Sequence, residues 1–313
     1  MSTVTIPAVV PSPHDDALQL YRAFKGLGCD TSTVINILSH RNASQRSLIQ
    51  EEYTNMYNDD LNKKLASELH HNTKRAVLQW MPEPVLKDAT IIRQSIGGGL
   101  IDHKDLRAAT EIICSRTPSQ LRKIKTIYSV AFGDRLDQEL EISTSGNHKK
   151  LLIAYVNTTR YEGPEIDLVL VESDAKSLAK GSDESTFINI FSDRSSAHLV
   201  ALAIAFQNNY GKPFERRIKK ATSGHFQYAL LSIIRCAENS SKYFAKVLRR
   251  AMKGIGTDDT TLIRVVVTRV ELDMQEIKAE YKSKYGKTLN DAVHSETSGS
   301  YRNFLLSLLG PNI

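Results

Sequence analysis

The chain has 313 residues, 41% hydrophobic and 24% charged, with a formal net charge of +6 and a pI near 9.0, proportions that suit a soluble globular protein and leave little room for extended disorder. No apolar run approaches the roughly 20 residues of a membrane-spanning helix, and the three cysteines, Cys29, Cys114 and Cys236, fit neither a zinc spacing nor a disulfide framework. The excess positive charge favours an anionic partner, either a membrane surface or a nucleic acid.

At the N-terminus, Met1–His14 has no basic start and is interrupted by Pro7, Pro11 and Pro13. An extended arm over residues 1–14 is expected, not a signal peptide, and with it a cytoplasmic location. Residues 15–82 then introduce a unit that recurs. It contains a glycine-bracketed turn (Lys25-Gly26-Leu27-Gly28-Cys29-Asp30), the apolar positions Val34, Ile35, Ile37 and Leu38, and an arginine, Arg41. The same arginine returns as Arg116, Arg194 and Arg269, at spacings of 75, 78 and 75 residues. Eleven residues before each stands Asp30, Asp105, Asp183 or Asp258, placed to cap a helix. Twelve and sixteen residues after each come the aromatic pairs Tyr53 and Tyr57, Tyr128 and Phe132, Phe206 and Tyr210, Tyr281 and Tyr285. A spacing of four places each pair on one helix face. Leu61, Leu136, Phe214 and Leu289, twenty residues after the arginines, begin another apolar stretch.

The period reveals four copies of one unit. The apolar spacing inside each is helical, so an all-α array is expected, with copies at residues 15–82, 83–163 (including a longer join), 164–241 and 242–313. In the second copy Thr117-Pro118 is suited to start a helix.

The copies differ where chemistry is to be sought. The first and fourth carry two glycines around one apolar residue, Gly26-Leu27-Gly28 and Gly254-Ile255-Gly256, and forty residues after the second glycine each has a carboxylate, Glu68 or Glu296. The second and third have Ser143 and Ala221 at that position. A glycine turn can aim carbonyl oxygens at one point, and Ca²⁺ accepts a mixed shell of six to eight carbonyl, carboxylate and water oxygens. Taken singly, such a turn only ends a helix and such an acid is a solvated surface charge. Finding both together in the same two copies favours a metal site.

These motifs resemble the annexin family from about Asp15 to Ile313, through the two glycine loops and the closing Thr-Ser-Gly at Thr144, Thr222 and Thr297. The resemblance implies four repeats of about five helices each, forming a slightly curved disc with Ca²⁺ loops on its convex face. It assigns Ca²⁺ ligands to the carbonyls of Phe24, Gly26 and Gly28 with the Glu68 carboxylate, and to those of Met252, Gly254 and Gly256 with Glu296. It also implies Ca²⁺-dependent binding to anionic phospholipid membranes, peripheral when Ca²⁺ rises. Retention of sites in repeats 1 and 4, together with Trp80, Cys114 and Cys236, resembles the plant branch of the family, in which the two cysteines are implied to form a redox-sensitive pair. Gly97-Gly98-Gly99 lies out of register, so no site of this kind is expected in repeat 2.

The alternative is a nucleotide-hydrolysing or peroxidase-like member of the plant branch. Gly286-Lys287-Thr288 has Tyr281 where a phosphate-binding loop needs glycine, and His40 stands alone at its position in the repeat, so no catalytic residue is assigned. Arg216, Arg217, Lys219 and Lys220 form a basic patch without a nucleic-acid motif, and no specific nucleic-acid partner is expected. Ile263-Arg264-Val265 resembles an actin-binding tripeptide proposed for the family but also fits the core pattern. The family's central ion pairs map to Asp88 with Arg116 and to Glu111 with Arg269.

Overall fold

The computed structural model describes residues 1–26, 28–97, 105–181 and 183–312, and among these residues there are nineteen α-helices and no strand. The first copy folds into α1 (Pro13–Ala23), α2 (Thr31–Leu38), α3 (Ala43–Tyr57), α4 (Leu61–Glu68) and α5 (His71–Trp80). The second contains α6 (Pro84–Ile96), α7 (Leu106–Ser115), α8 (Pro118–Phe132), α9 (Leu136–Ser143) and α10 (Gly146–Asn157). The third holds α11 (Leu168–Lys180), α12 (Glu184–Asp193), α13 (Ser196–Tyr210), α14 (Phe214–Ala221) and the start of α15 (Gly224–Ala251). The remainder of α15 opens the fourth copy, followed by α16 (Asp259–Arg269), α17 (Met274–Tyr285), α18 (Leu289–Glu296) and α19 (Gly299–Leu309). Within α15 the backbone is extended at Asn239, whose side chain accepts from the Lys242 N–H at 2.8 Å. It therefore serves as two helices, and each copy has five.

The repeated residues do repeated work. Asp30, Asp105, Asp183 and Asp258 each accept a backbone N–H in the first turn of the second helix, from Thr33, Ala108, Ser185 and Thr261. Each such cap contributes about 1 kcal/mol. The four aromatic pairs meet with ring centroids 5.1, 5.0, 4.9 and 4.9 Å apart on the third helix of each copy. Thr117 caps α8 with Pro118 in the first turn, as expected, and Gln120 completes a reciprocal capping box. The closing threonines Thr144, Thr222 and Thr297 donate to carbonyls four residues back at 2.5, 2.7 and 2.6 Å. Two residues later Gly146, Gly224 and Gly299 adopt φ of 58°, 59° and 57°. Repeat 1 places His71 there, at φ 48°.

The anchor arginines tie helices together inside the copies. Arg41 forks onto Asp16 (2.7 and 2.8 Å), Arg116 onto Asp88 (2.6 and 2.8 Å) and Arg194 onto Asp174 (2.7 and 3.2 Å). Each pair joins the first helix of its copy to the end of the second. The first half of the fourth copy's opening helix offers no acid, and Arg269 turns to Asp273 (Nε–Oδ1 2.8 Å) and to the face of Phe244, 4.4 Å away. The Asp88–Arg116 pair suggested by the resemblance is thus present, and it is one instance of a pattern that recurs.

The chain forms two compact units, Met1–Lys87 with Phe244–Ile313, and Asp88–Tyr243. In the first, Trp80 is fully buried, donates to the Leu38 carbonyl at 2.8 Å and has the cations of Arg46 and Lys87 3.6 and 4.3 Å from its ring. Both cations also face Glu271, which joins repeat 1 to repeat 4. The N-terminal arm belongs to this unit and is pinned at Thr3, whose N–H donates to Val270 O (2.9 Å) and whose hydroxyl donates to Leu308 O (2.8 Å). In both units the start of one fifth helix is linked to the start of a second helix: Asn72 donates to Asp259, and Asn147 to Glu184. Among the described residues no helix is long and apolar enough to cross a membrane.

Candidate metal centre

In repeat 1 the chain leaves α1 after Ala23 and returns when the Asp30 N–H donates to the Ala23 carbonyl at 2.8 Å; in repeat 4 Asp258 does the same to Ala251, also at 2.8 Å. Between these closures Gly26 and Gly28 take φ of 134° and 97°, and Gly254 and Gly256 take 121° and 85°. A Cβ at any of the four would meet nothing within 4 Å. Glycine is therefore required there by the backbone angle and not by lack of space. Among the described residues the carbonyls of Phe24, Gly26, Gly28, Met252, Gly254 and Gly256 accept no hydrogen bond. Carbonyl oxygens without a hydrogen-bond partner are the donors a hard cation needs.

The distant acids come back to the loops. Glu296, the last residue of α18, receives the Thr257 hydroxyl at its carboxylate Oε2 (3.2 Å) and at its own carbonyl (3.3 Å), which joins loop and acid directly. In repeat 1 Cys29 replaces that threonine. Burial pushes its thiol up, and the neighbouring Glu68 charge adds to the rise. Glu68 ends α4 and pairs with Lys64 one turn earlier at 2.8 Å, and that hydrogen bond holds the ammonium above the usual lysine range. An open cleft of about 420 Å³ runs beside this loop, with Arg22 and Lys25 in its lining. Ile255, between the two glycines of repeat 4, is fully exposed at the loop tip.

Repeat 3 is built otherwise. Helix α11 continues to Lys180, through positions that correspond to 252–255 of the repeat 4 loop, and Gly181 follows with an ordinary extended φ of −128°. Arg217 donates from Nε to the Leu178 carbonyl at 2.8 Å and from Nη2 to the Gly181 carbonyl. Repeat 3 thus has Ala221 where an acid would stand and a guanidinium on its carbonyls. In repeat 2, Gly97 has φ 93° at the end of α6, while Gly98 and Gly99 lie outside the described residues. From the sequence Lys64 and Thr257 have no assigned role, and Arg217 is marked only as part of a basic patch. The signal was available for the lysine and arginine, since positions 23 residues after the anchors read Lys64, Glu139, Arg217 and Ala292.

The other residues marked by sequence have local roles. His40 is held at Nδ1 by the Asn36 carbonyl (2.8 Å) and at Nε2 by Ser307 (3.4 Å). Gly286 ends α17 in the left-handed region, Lys287 bonds Ser295, and Thr288 caps α18. Ile263, Arg264 and Val265 are all buried. Lys219 pairs with Glu215 at 3.4 Å. Cys114 and Cys236 are not disulfide-bonded, and the Cys114 thiol is pushed well up, first by burial and then by the nearness of Cys236.

The annexin family model matches residues 15–80, 87–155, 174–233 and 243–308. Annexin D5 of Arabidopsis thaliana is 56% identical over 319 aligned residues, covering 100% of both chains. A mutant of annexin A8 has a structure similar to this one, with TM-score 0.93 and 34% identity over 99% of this chain and 98% of that one. The structure of calcium-bound annexin (Sm)1 matches with TM-score 0.81 and 27% identity over 96% of this chain and 90% of that one. With four repeats in register, five helices in each and the family's loops in two of them, the chain belongs to the annexin family and is of the plant type.

Proposed function

We propose that this annexin attaches peripherally to anionic phospholipid membranes, from the cytoplasmic side, when Ca²⁺ fills the loops of repeats 1 and 4. The observation that carries the reading is the contact of Thr257 with Glu296, which brings a distant carboxylate to a loop of unpartnered carbonyls. Phe24, Gly26, Gly28 and Glu68 would hold one ion, and Met252, Gly254, Gly256 and Glu296 the other. Three carbonyls and a bidentate carboxylate leave room in a shell of about six to eight oxygens. When bound, the ion supplies the positive charge that bridges these oxygens to a lipid phosphate. Arg22 and Lys25 add positive charge beside the first loop, and Ile255 extends an apolar side chain toward the lipid at the fourth. The repeats are taken as residues 15–82, 83–163, 164–241 and 242–313, each contributing helices to this binding scaffold.

Sedimentation with phosphatidylserine vesicles tests the reading. Binding should appear with Ca²⁺, reverse on chelation and persist at about 0.5 M salt, where simple charge attraction is largely screened. Binding that ignores Ca²⁺ and disappears with salt would contradict it.

A further inference from the structure

One register position sets the three legible loops apart more finely than the glycines and glutamates do. Twenty-three residues after the anchors, repeat 3 has Arg217, repeat 1 has Lys64 and repeat 4 has Ala292. In repeat 3 the Arg217 guanidinium lies on the Leu178 and Gly181 carbonyls, so a side-chain cation already satisfies the backbone there. In repeat 1 the Lys64 ammonium sits 2.8 Å from Glu68 Oε1. In repeat 4 Ala292 is buried and uncharged, and the neutral Thr257 hydroxyl touches the Glu296 carboxylate. The series runs from a loop closed by an internal cation, through an acid partly neutralised by one, to an acid that pairs with no side-chain cation among the described residues.

We infer that Lys64 is a specificity-determining residue, a tethered ammonium that competes with Ca²⁺ for Glu68, so that repeat 4 fills at lower Ca²⁺ than repeat 1. The inference rests on the Ca²⁺ sites proposed above. The physical reason is twofold. A divalent ion arriving at Glu68 must displace the ammonium from one carboxylate oxygen, and the displaced charge, tethered one helical turn away, then repels the ion. Lys64 and Glu68 side chains are 32% and 23% exposed, so water screens both effects and the penalty is a few-fold in affinity. Membrane attachment would then begin through repeat 4 and strengthen as repeat 1 fills.

The test uses the full chain with E296Q, which leaves repeat 1 to report alone in phosphatidylserine vesicle sedimentation. Adding K64M should lower the Ca²⁺ needed for half-maximal binding by roughly three- to tenfold. Adding K64R, which keeps the charge, should leave it near the parent value. A pure charge account gives the opposite sign for K64M, because removing a lysine weakens attraction to an anionic vesicle. An unchanged or higher Ca²⁺ requirement in K64M overturns the inference. If E68Q on the same background still weakens binding, the sites stand and only the role of Lys64 is refuted. If E68Q has no effect, the repeat 1 site itself is misplaced and the inference falls with it.

Discussion

Repeats 3 and 4 share a capping aspartate, an aromatic pair and a closing Thr-Ser-Gly, yet one carries a glycine loop with its acid and the other does not. In repeat 4 the helix ends at Ala251, Gly254 and Gly256 turn left-handed, and Glu296 is reached through Thr257. In repeat 3 the helix runs on to Lys180, Gly181 is extended, Ala221 replaces the acid, and Arg217 takes the carbonyls. A cation site of this kind depends on several linked features, while the helical scaffold beneath accepts either form. The anchors differ as well: Arg194 reaches Asp174 on another helix, whereas Arg269 forks onto Asp273 four residues further on.

The anchor contrast gives the largest expected effect. Asp174→Ala would take the forked partner from Arg194, leaving it only Asp193 as an ion-pair partner among the described residues, and would also take the carboxylate from His198, whose Nε2 lies 2.9 Å away. A loss of about 3–5 kcal/mol is expected in chemical denaturation. Asp273→Ala, which removes a more exposed partner four residues away, should cost less. Equal costs would show that the two anchors are energetically alike after all.

Acid should separate the units next. His148 is buried in the unit of repeats 2 and 3, with the Thr110 hydroxyl 2.9 Å from Nε2 and the His225 ring beside it. Burial, aided by His225, lowers its pKa to about 4, against about 6.5 in an unfolded chain. The unfolded state therefore binds more protons between these values. Stability present above pH 6.5 is lost as pH falls toward 4, by at most about 3 kcal/mol. The equivalent positions are Thr73, Phe226 and Tyr301, so hydrogen exchange should open residues 88–243 before the rest, and His148→Gln should flatten the pH profile.

The loops provide a smaller and more local contrast. Gly256→Ala forces a β-carbon onto φ 85° and should cost about 1 kcal/mol while raising the Ca²⁺ requirement for vesicle binding. Gly181→Ala meets only an ordinary contact at 3.8 Å and should change neither quantity measurably. Smallest of all, His71→Gly should stabilise the chain by about 0.5–1 kcal/mol by removing the left-handed strain that glycines absorb in the other three repeats. A thermal melt of the variant checks this sign.

Much of this organisation was legible from spacing. The caps at Asp30, Asp105, Asp183 and Asp258, the aromatic pairs and the starts of the fourth helices all depend on contacts within a few residues, where helical geometry decides the partner. The partners of Arg41 and Arg194 were not, because Asp16 and Asp174 lie 25 and 20 residues upstream and meet them only once helices pack. The same limit hid the role of Arg217, marked in the sequence only as part of a basic patch, because its acceptors are backbone carbonyls at the end of another helix. His71 was hidden for another reason: its residue type disguises a backbone angle that glycine announces in the other copies. For the candidate site, the glycines and glutamates were legible as a recurring pair, while the contacts that Lys64 and Thr257 make with the acids emerged from geometry.

The central claim, that Glu68 and Glu296 complete two Ca²⁺ sites, is tested most directly by the double substitution Glu68→Gln with Glu296→Gln. Glutamine keeps the shape and removes the charge. Phosphatidylserine vesicle sedimentation across a Ca²⁺ titration should show a loss of more than about tenfold in apparent Ca²⁺ affinity, since two charged ligands are neutralised at once. Each single variant should show less, and the thermal melt without Ca²⁺ should be nearly unchanged. Ser143→Gln with Ala221→Gln should leave the titration where it was. A folded double glutamate variant that binds vesicles with unaltered Ca²⁺ dependence would contradict the account.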